Sequence, residues 1–271
     1  MSKNRKSFLL DYIDKSLSGI EIGPSHSPIA SKKAGYKVKI IDYLSQADLK
    51  QKYASHGVNL KNIEKVDYVW SGESYKSLVK NEKFEWIIAS HVIEHTPDLI
   101  GFLQDCESIM TKDALLCLAI PDYRFCFDKF RPLSSLSKII DYHLNQNTKH
   151  TPGNIAEYYL NAVSLNQELS WTFSDEKSDF RFIHTADESK NKMIEAMRKD
   201  KYFDIHSWCF TPNSFRLLIS DLNFLKFINI KEVFLSGSNG HEFYVILSAK
   251  GHSYNSERLN ILQEISKEIK L

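Results

Sequence analysis

Two imidazoles and a carboxylate fall within five residues at His91-Val-Ile-Glu-His95. On one helical turn positions 91, 94 and 95 share a face, where a divalent metal could be held. HxxEH is also an inverted zinc-protease signature with Glu as the base, but that motif sits inside a helix. Here it directly follows an apolar run of strand type, Phe84–Ala89. The plainer reading is that Glu94 and His95 cap and orient the loop beyond that strand, and no metal ligand is assigned. A second group, Pro121-Asp-Tyr-Arg124, follows the next apolar run. Asp122 could act as a general base or hydroxyl anchor, and Arg124 could clamp a carboxylate or phosphate. The competing reading is a salt-bridged loop. Asp128 and Arg131 read as holding the following segment together. His206 could reach a cleft from just ahead of the helix start Thr211-Pro212, or be structural, while His143, His150 and His184 are too scattered to rank.

Two further residues suit ligand binding. Gly19-Ile-Glu-Ile-Gly-Pro-Ser-His-Ser-Pro28 reads as a strand, a tight turn and a short helix, with Gly23 letting the backbone approach a ligand closely. Ser27-Pro28 is a suitable N-cap and first helical residue. Asp42 ends the run Val38–Asp42, 19 residues after Gly23, and an acid there can accept hydrogen bonds from both ribose hydroxyls.

The elements that must position these groups follow from hydrophobic periodicity. An opening helix is expected over 4–17. Strands are expected at Gly19–Ile22, Lys37–Asp42, Val66–Trp70, Phe84–Ala89 and Ala114–Ile120, alternating with helices near 27–34, 46–55, 74–81 and 98–110. Such alternation calls for a parallel sheet covered on both faces. A helix near 212–223 then precedes strands Phe224–Phe234 and His241–Ala249, joined by Ser236-Gly-Ser-Asn-Gly240 as an antiparallel hairpin. The intervening stretch of about 85 residues is too long for an ordinary connection. It reads as an inserted helical cap with helices near 133–145, 154–165 and 188–199, so the chain divides into 1–120, 121–205 and 206–271, the last part ending in a helix.

Composition removes several classes. With 35 Lys+Arg against 34 Asp+Glu, the net charge of +1 offers no field for a nucleic-acid backbone. Hydrophobic residues at 42% and charged residues at 25% are those of a globular chain. No run of about 18 apolar residues is present to span a membrane. The apolar stretch near the N-terminus is broken by Asp11 and Asp14, which argues against a signal peptide. Cys106, Cys117, Cys126 and Cys209 form no CxxC pair, as expected of a reduced, cytoplasmic protein.

Glu-x-Gly after the first strand, an acid after the second, and Phe84-Glu-Trp-Ile-Ile-Ala-Ser-His-Val-Ile-Glu-His-Thr-Pro-Asp98 on the fourth resemble class I S-adenosylmethionine-dependent methyltransferases. The resemblance implies an α/β, Rossmann-like, seven-stranded sheet with its last strand antiparallel, binding S-adenosylmethionine at the carboxyl ends of strands one to four. It places Glu21 and Gly23 on the methionine and ribose side, Asp42 at the ribose and Tyr43 beside the adenine. Ser71 and Gly72 would contact the adenine ring, and Ala89 and Ser90 the methionine portion. Pro24-Ser-His26 departs from the pattern, which more often carries further glycines. Glu-Ile-Gly-Pro-x-x-Ser-Pro, Ile120–Pro132 and His206-Ser-Trp-Cys-Phe-Thr-Pro-Asn-Ser-Phe215 are similar to methyltransferase-like proteins of bacterial surface-polysaccharide assembly. That likeness implies a context, with glycan-assembly enzymes as partners, more than a chemistry; the leading expectation is O-methylation of a sugar or glycan-linked acceptor, with His95 or Asp122 as base. An idle, cofactor-binding scaffold is the alternative. A third reading, similar to metal-assisted O-methyltransferases with Glu-x-x-Glu-His, builds a metal-dependent reaction at His91, Glu94 and His95, with His91 replacing the first acid.

Overall fold

The computed structural model describes residues 4–172, 178–198, 201–254 and 257–270. Its centre is a seven-stranded sheet of β1 (Gly19–Ile22), β2 (Val38–Asp42), β3 (Tyr68–Val69), β4 (Phe84–Ser90), β5 (Met110–Pro121), β8 (Lys231–Leu235) and β9 (Glu242–Ser248), in the order β3-β2-β1-β4-β5-β9-β8. β1 pairs in parallel with β2 and β4, β2 with β3, and β4 with β5, whereas β9 runs antiparallel between β5 and β8. The Rossmann-like sheet expected from the sequence is therefore present, with its last strand antiparallel.

Side chains alternate across each strand, so both faces need cover. Ile87 and Ala89 of β4 join a large core with helix α4 (Leu99–Ile109) and helix α8 (Pro212–Phe224). Trp86 and Ile88 point the other way, toward Leu9 of helix α1 (Arg5–Leu10) and toward Tyr244 and Ile246 of β9. Local signals start the helices: the Asp98 carboxylate accepts from Gly101 N, and Thr211 and Ser214 form a reciprocal capping box ahead of Pro212. The first-half connections also hold α2 (Gln46–Tyr53) and α3 (Tyr75–Leu78).

Between β5 and α8 lie α5 (Leu136–Leu144), α6 (Pro152–Asn161), α7 (Ala186–Arg198) and a ribbon of β6 (Val163–Leu165) with β7 (Phe180–Phe182). Ile139 and Tyr142 of α5 belong to the main core, whereas Ile155, Phe203 and Ile205 form a small core of their own. α9 (Arg258–Ile269) closes the described chain and contacts α8.

Several expectations are corrected. The opening helix ends at Leu10. The helix expected at 27–34 is a single 3₁₀ turn, Lys32–Ala34, because the amides of Ile29 and Ala30 donate to the Glu21 carboxylate. The helix expected over 154–165 stops at Asn161, and its last residues enter the ribbon, which the sequence did not announce. Phe224 ends α8, so β8 begins only at Lys231. Residue 199, the end of the helix expected at 188–199, lies outside the described residues. Among the described residues no helix is long and apolar enough to cross a membrane.

Candidate functional site

The parallel strands bring their carboxyl ends to one edge, where the turns after β1, β2 and β4 meet. Gly23 adopts φ +63°, and a Cβ there would lie 3.0 Å from Val92 Cγ2, so the turn after β1 abuts the loop after β4. Both conformation and space require glycine. Ser25, at φ +51°, carries the turn onward, and its amide donates to Asp42 Oδ2 at 3.1 Å. The other Asp42 oxygen accepts from Tyr43 N at 2.8 Å. Burial raises the Asp42 pKa above the usual aspartate value, although these backbone donors oppose the rise. Trp70 N donates to Asp42 O at 2.9 Å, which sets Ser71 and Gly72 beside the acid. Both are exposed, with Ser71 bonded to Glu73, and Tyr43 lies exposed against Lys52.

Glu21 does not line this edge. It is buried, and its two oxygens hold the amides of Ile29 and Ala30 at 2.7 and 3.0 Å, so its part is to fix the segment after Gly23. Burial pushes its pKa up to about 7 despite those donors. Ala89 is buried in the core and pairs with Ile22. Ser25 Oγ, His26 Nδ1 and Ser90 Oγ are buried with no hydrogen-bond partner among the described residues. Unbonded polar atoms gathered at strand ends, beside a buried carboxylate, suit a polar ligand such as a nucleoside cofactor.

The loop after β4 departs from the single helical turn expected at 91–95. His91 has φ +54° and lies outside the 3₁₀ turn Ile93–His95, so His91 and His95 diverge. His91 Nε2 meets Glu242 Oε2 at 2.7 Å, and Arg5 holds the same oxygen at 2.6 Å. Burial disfavours the imidazolium, but Glu242 and Glu94 outweigh it and raise the His91 pKa to about 9. Glu242 falls to about 2: burial opposes ionisation, but the bonds from His91 and Arg5 prevail. His91 is thus parted from His95 and drawn into an ion pair joining α1 to β9, while its Nδ1 stays 3.4 Å from Glu94 Oε1.

Glu94, His95 and His206 come together instead, although 111 residues separate His95 from His206. The backbone explains how: Ser207 N donates to Glu94 O at 2.6 Å and Trp208 Nε1 to Thr96 O at 2.6 Å, fastening the 206–208 segment to the loop after β4. His206 Nδ1 lies 2.5 Å from Asp128 Oδ2, its Nε2 lies 3.9 Å from Glu94 Oε1, and its ring meets the His95 ring edge-on at 4.6 Å. Asp128 also pairs with Arg131 at 2.6 Å, and Arg131 reaches Glu157 of α6 at 3.1 Å. Burial would raise the Glu94 pKa, but His91 3.4 Å away and the other imidazoles hold it below the usual value. His95, a third exposed, has Nδ1 3.0 Å from Asp204 Oδ1; burial lowers its pKa, and Asp204 and Glu94 together more than reverse this.

Asp122 and Arg124 are placed differently from the catalytic roles expected. Asp122 is fully buried, Arg124 nearly so, and the guanidinium grips the carboxylate at 2.9 and 2.6 Å. Ser238 adds a bond to Asp122 at 2.5 Å, and Arg124 donates to Glu268 O at the end of α9. Both groups are spent on each other. This is the salt-bridged loop, tying β5 to the β8–β9 connection and α9. Sequence reasoning missed Asp204 and left His150 unranked. His150 Nδ1 contacts Ser207 Oγ at 2.6 Å, and burial, aided by repulsion from His95, lowers its pKa to about 4. Tyr202 donates to His95 O at 3.4 Å. No spacing rule announces these residues, because only the folded insertion brings them to the site.

A sheet of this order, with ligand-suited turns at its carboxyl edge, defines an α/β protein of the nucleotide-cofactor-binding type. A family model described as a methyltransferase domain matches residues 2–224, and the chain belongs to that family. Several solved structures align with the chain at low identity. The CcbJ methyltransferase of Streptomyces caelestis is 9% identical, with 90% of this chain and 93% of that one covered and a TM-score of 0.46. An S-adenosylmethionine-dependent methyltransferase of Clostridium acetobutylicum is 10% identical, with 91% of each chain covered and a TM-score of 0.42. The mitomycin 7-O-methyltransferase MmcR is 9% identical at a TM-score of 0.40, and the 90% of this chain that aligns spans 52% of that chain. No curated protein matches the chain.

Proposed function

We propose that this methyltransferase moves a methyl group from S-adenosylmethionine to a hydroxyl of a sugar or glycan-linked acceptor. The observation that carries the reading is the meeting of Glu94, His95 and His206 where the loop after β4 touches the insertion. Alkylating a hydroxyl requires removal of its proton, and these groups are proton acceptors beside the cofactor edge. Gly23, Ser25, Asp42 and Ser90 would hold S-adenosylmethionine, whose sulfonium supplies an activated methyl carbon when bound. The work left to the chain is to align the acceptor oxygen and take its proton. His95 is partly exposed and paired with Asp204, so it is the preferred proton acceptor, in place of Asp122. Exposed Tyr43 and Tyr202 offer aromatic faces of the kind that sugars stack on. Glycan-assembly enzymes are the partners this reading expects, in the cytoplasm.

A second reading is favoured by one observation: Asp42 is already bonded to Ser25 N. A turn closed on its own ribose acceptor suits a module that binds weakly and transfers nothing. Calorimetry with S-adenosylmethionine and S-adenosylhomocysteine separates the two. Binding, followed by methyl incorporation into a nucleotide sugar or glycan that falls at least 100-fold in His95→Ala, supports transfer. Absence of binding by either compound overturns it, and full turnover in His95→Ala removes His95 from its role.

A further inference from the structure

We propose that Glu94, His95 and His206 form a binding site for a late first-row divalent cation such as Zn²⁺. One donor atom from each residue lies within 4.8 Å of the others. For tetrahedral coordination at ordinary Zn–N and Zn–O lengths, donors lie about 3.4 Å apart. The 3.9 Å between His206 Nε2 and Glu94 Oε1 needs only a small contraction.

The second, independent observation is the state of Glu94. It is 1% exposed, and neither carboxylate oxygen has a hydrogen-bond partner among the described residues. Its ionic neighbours, His91 Nδ1 at 3.4 Å and His206 Nε2 at 3.9 Å, stand beyond hydrogen-bond geometry. The buried carboxylate is left with charge nearby but no bond, and a cation between it and the imidazoles of His95 and His206 would satisfy it. The surroundings are those of a metal site too. His206 gives Nδ1 to Asp128 at 2.5 Å, which fixes the ring and leaves Nε2 toward Glu94. His95 has the Asp204 carboxylate beside it at 3.0 Å. Two imidazoles and one carboxylate suit Zn²⁺ and its neighbours rather than Mg²⁺ or Ca²⁺.

Partial exposure of His95 provides entry and leaves coordination positions open to water or another oxygen. The other group with suitable spacing, His91, His241 and Glu242, is a poorer candidate. Glu242 there is consumed by Arg5, by His91 and by Tyr244 Oη at 2.8 Å. Only the use of the ion rests on the methyl-transfer reading: a bound cation would take the acceptor oxygen and lower the pKa of its hydroxyl, and its proton would then pass to water, with His95 acting as a ligand instead of as the proton acceptor.

The test titrates ZnCl₂ into the full chain after chelator treatment and dialysis, by calorimetry, with the visible absorption of Co²⁺ as a second readout. One equivalent is expected, with affinity at least 100-fold weaker in Glu94→Gln and His95→Gln, unchanged in His241→Gln, and 10–100-fold weaker in Asp128→Asn. His95→Gln lies on the exposed side, so it keeps the test decisive should Glu94→Gln misfold by circular dichroism. No binding by the native chain overturns the site, as does binding within threefold of native in His95→Gln. Loss in His241→Gln instead would place the ion in the other group and overturn it equally. A parallel titration with S-adenosylhomocysteine keeps the two ideas apart. Zn²⁺ binding without it would leave the metal site standing and sink methyl transfer, and the converse would sink the metal site alone.

Discussion

Replacing Asp42 tests the cofactor edge most directly. The residue is 2% exposed, and its two oxygens satisfy Ser25 N at 3.1 Å and Tyr43 N at 2.8 Å. Hydrogen bonds to a charged group contribute roughly 1.5–3 kcal/mol each. Asp42→Ala strands two amides, so it is expected to cost about 3–6 kcal/mol, and the melting temperature of a chain this long should fall by about 5–12 °C. Asp42→Asn keeps one acceptor oxygen and should lose roughly half of that. Both remove the carboxylate meant for the ribose hydroxyls, so S-adenosylhomocysteine should bind about 10–100-fold more weakly, at ~1.4 kcal/mol per tenfold. Calorimetry beside thermal melts reads both effects. Since burial raises the Asp42 pKa, affinity should also begin to fall on acidification at a higher pH than an ordinary aspartate would give. Native-like affinity in a folded Asp42→Asn protein, within twofold, refutes the assignment.

Gly23→Ala places a Cβ 3.0 Å from Val92 Cγ2 at φ +63°, and it should lower stability by about 1–2 kcal/mol with a matching loss of nucleoside affinity, seen in the same two assays. Glu21 has its folded pKa raised from 4.5 to about 7, so the folded state holds the proton more tightly and stability should decline as pH rises between those values. The decline is at most about 3 kcal/mol, and urea unfolding across that range should show it in the native chain and lose it in Glu21→Gln. Asp122→Ala breaks a buried ion pair and should cost about 3–5 kcal/mol while leaving S-adenosylhomocysteine affinity within twofold. A stable Asp122→Ala protein with abolished turnover would restore the catalytic role over the structural one.

Local chemistry determined much of this protein in its sequence. Apolar runs of period two, separated by amphipathic stretches, specify strands that must be covered on both faces, and Gly23 and Asp42 mark the turns at one edge because few other residues suit those positions. Thr211-Pro212 and Asp98 announce their helices through capping, which depends only on neighbours. Tertiary structure decided whatever depends on distant partners. The helix expected at 27–34 failed because a buried Glu21 claims its amides, and a carboxylate's partners cannot be read from periodicity. HxxEH suggested one cluster, but His91 reaches across to Glu242 while keeping an edge on Glu94, and His206 joins Glu94 and His95 from the other side. Asp122 and Arg124 carried the residue types of a catalytic pair and were closed on each other by burial. Residue type and spacing indicate what a side chain can do, whereas its surroundings, assembled by the fold, select what it does.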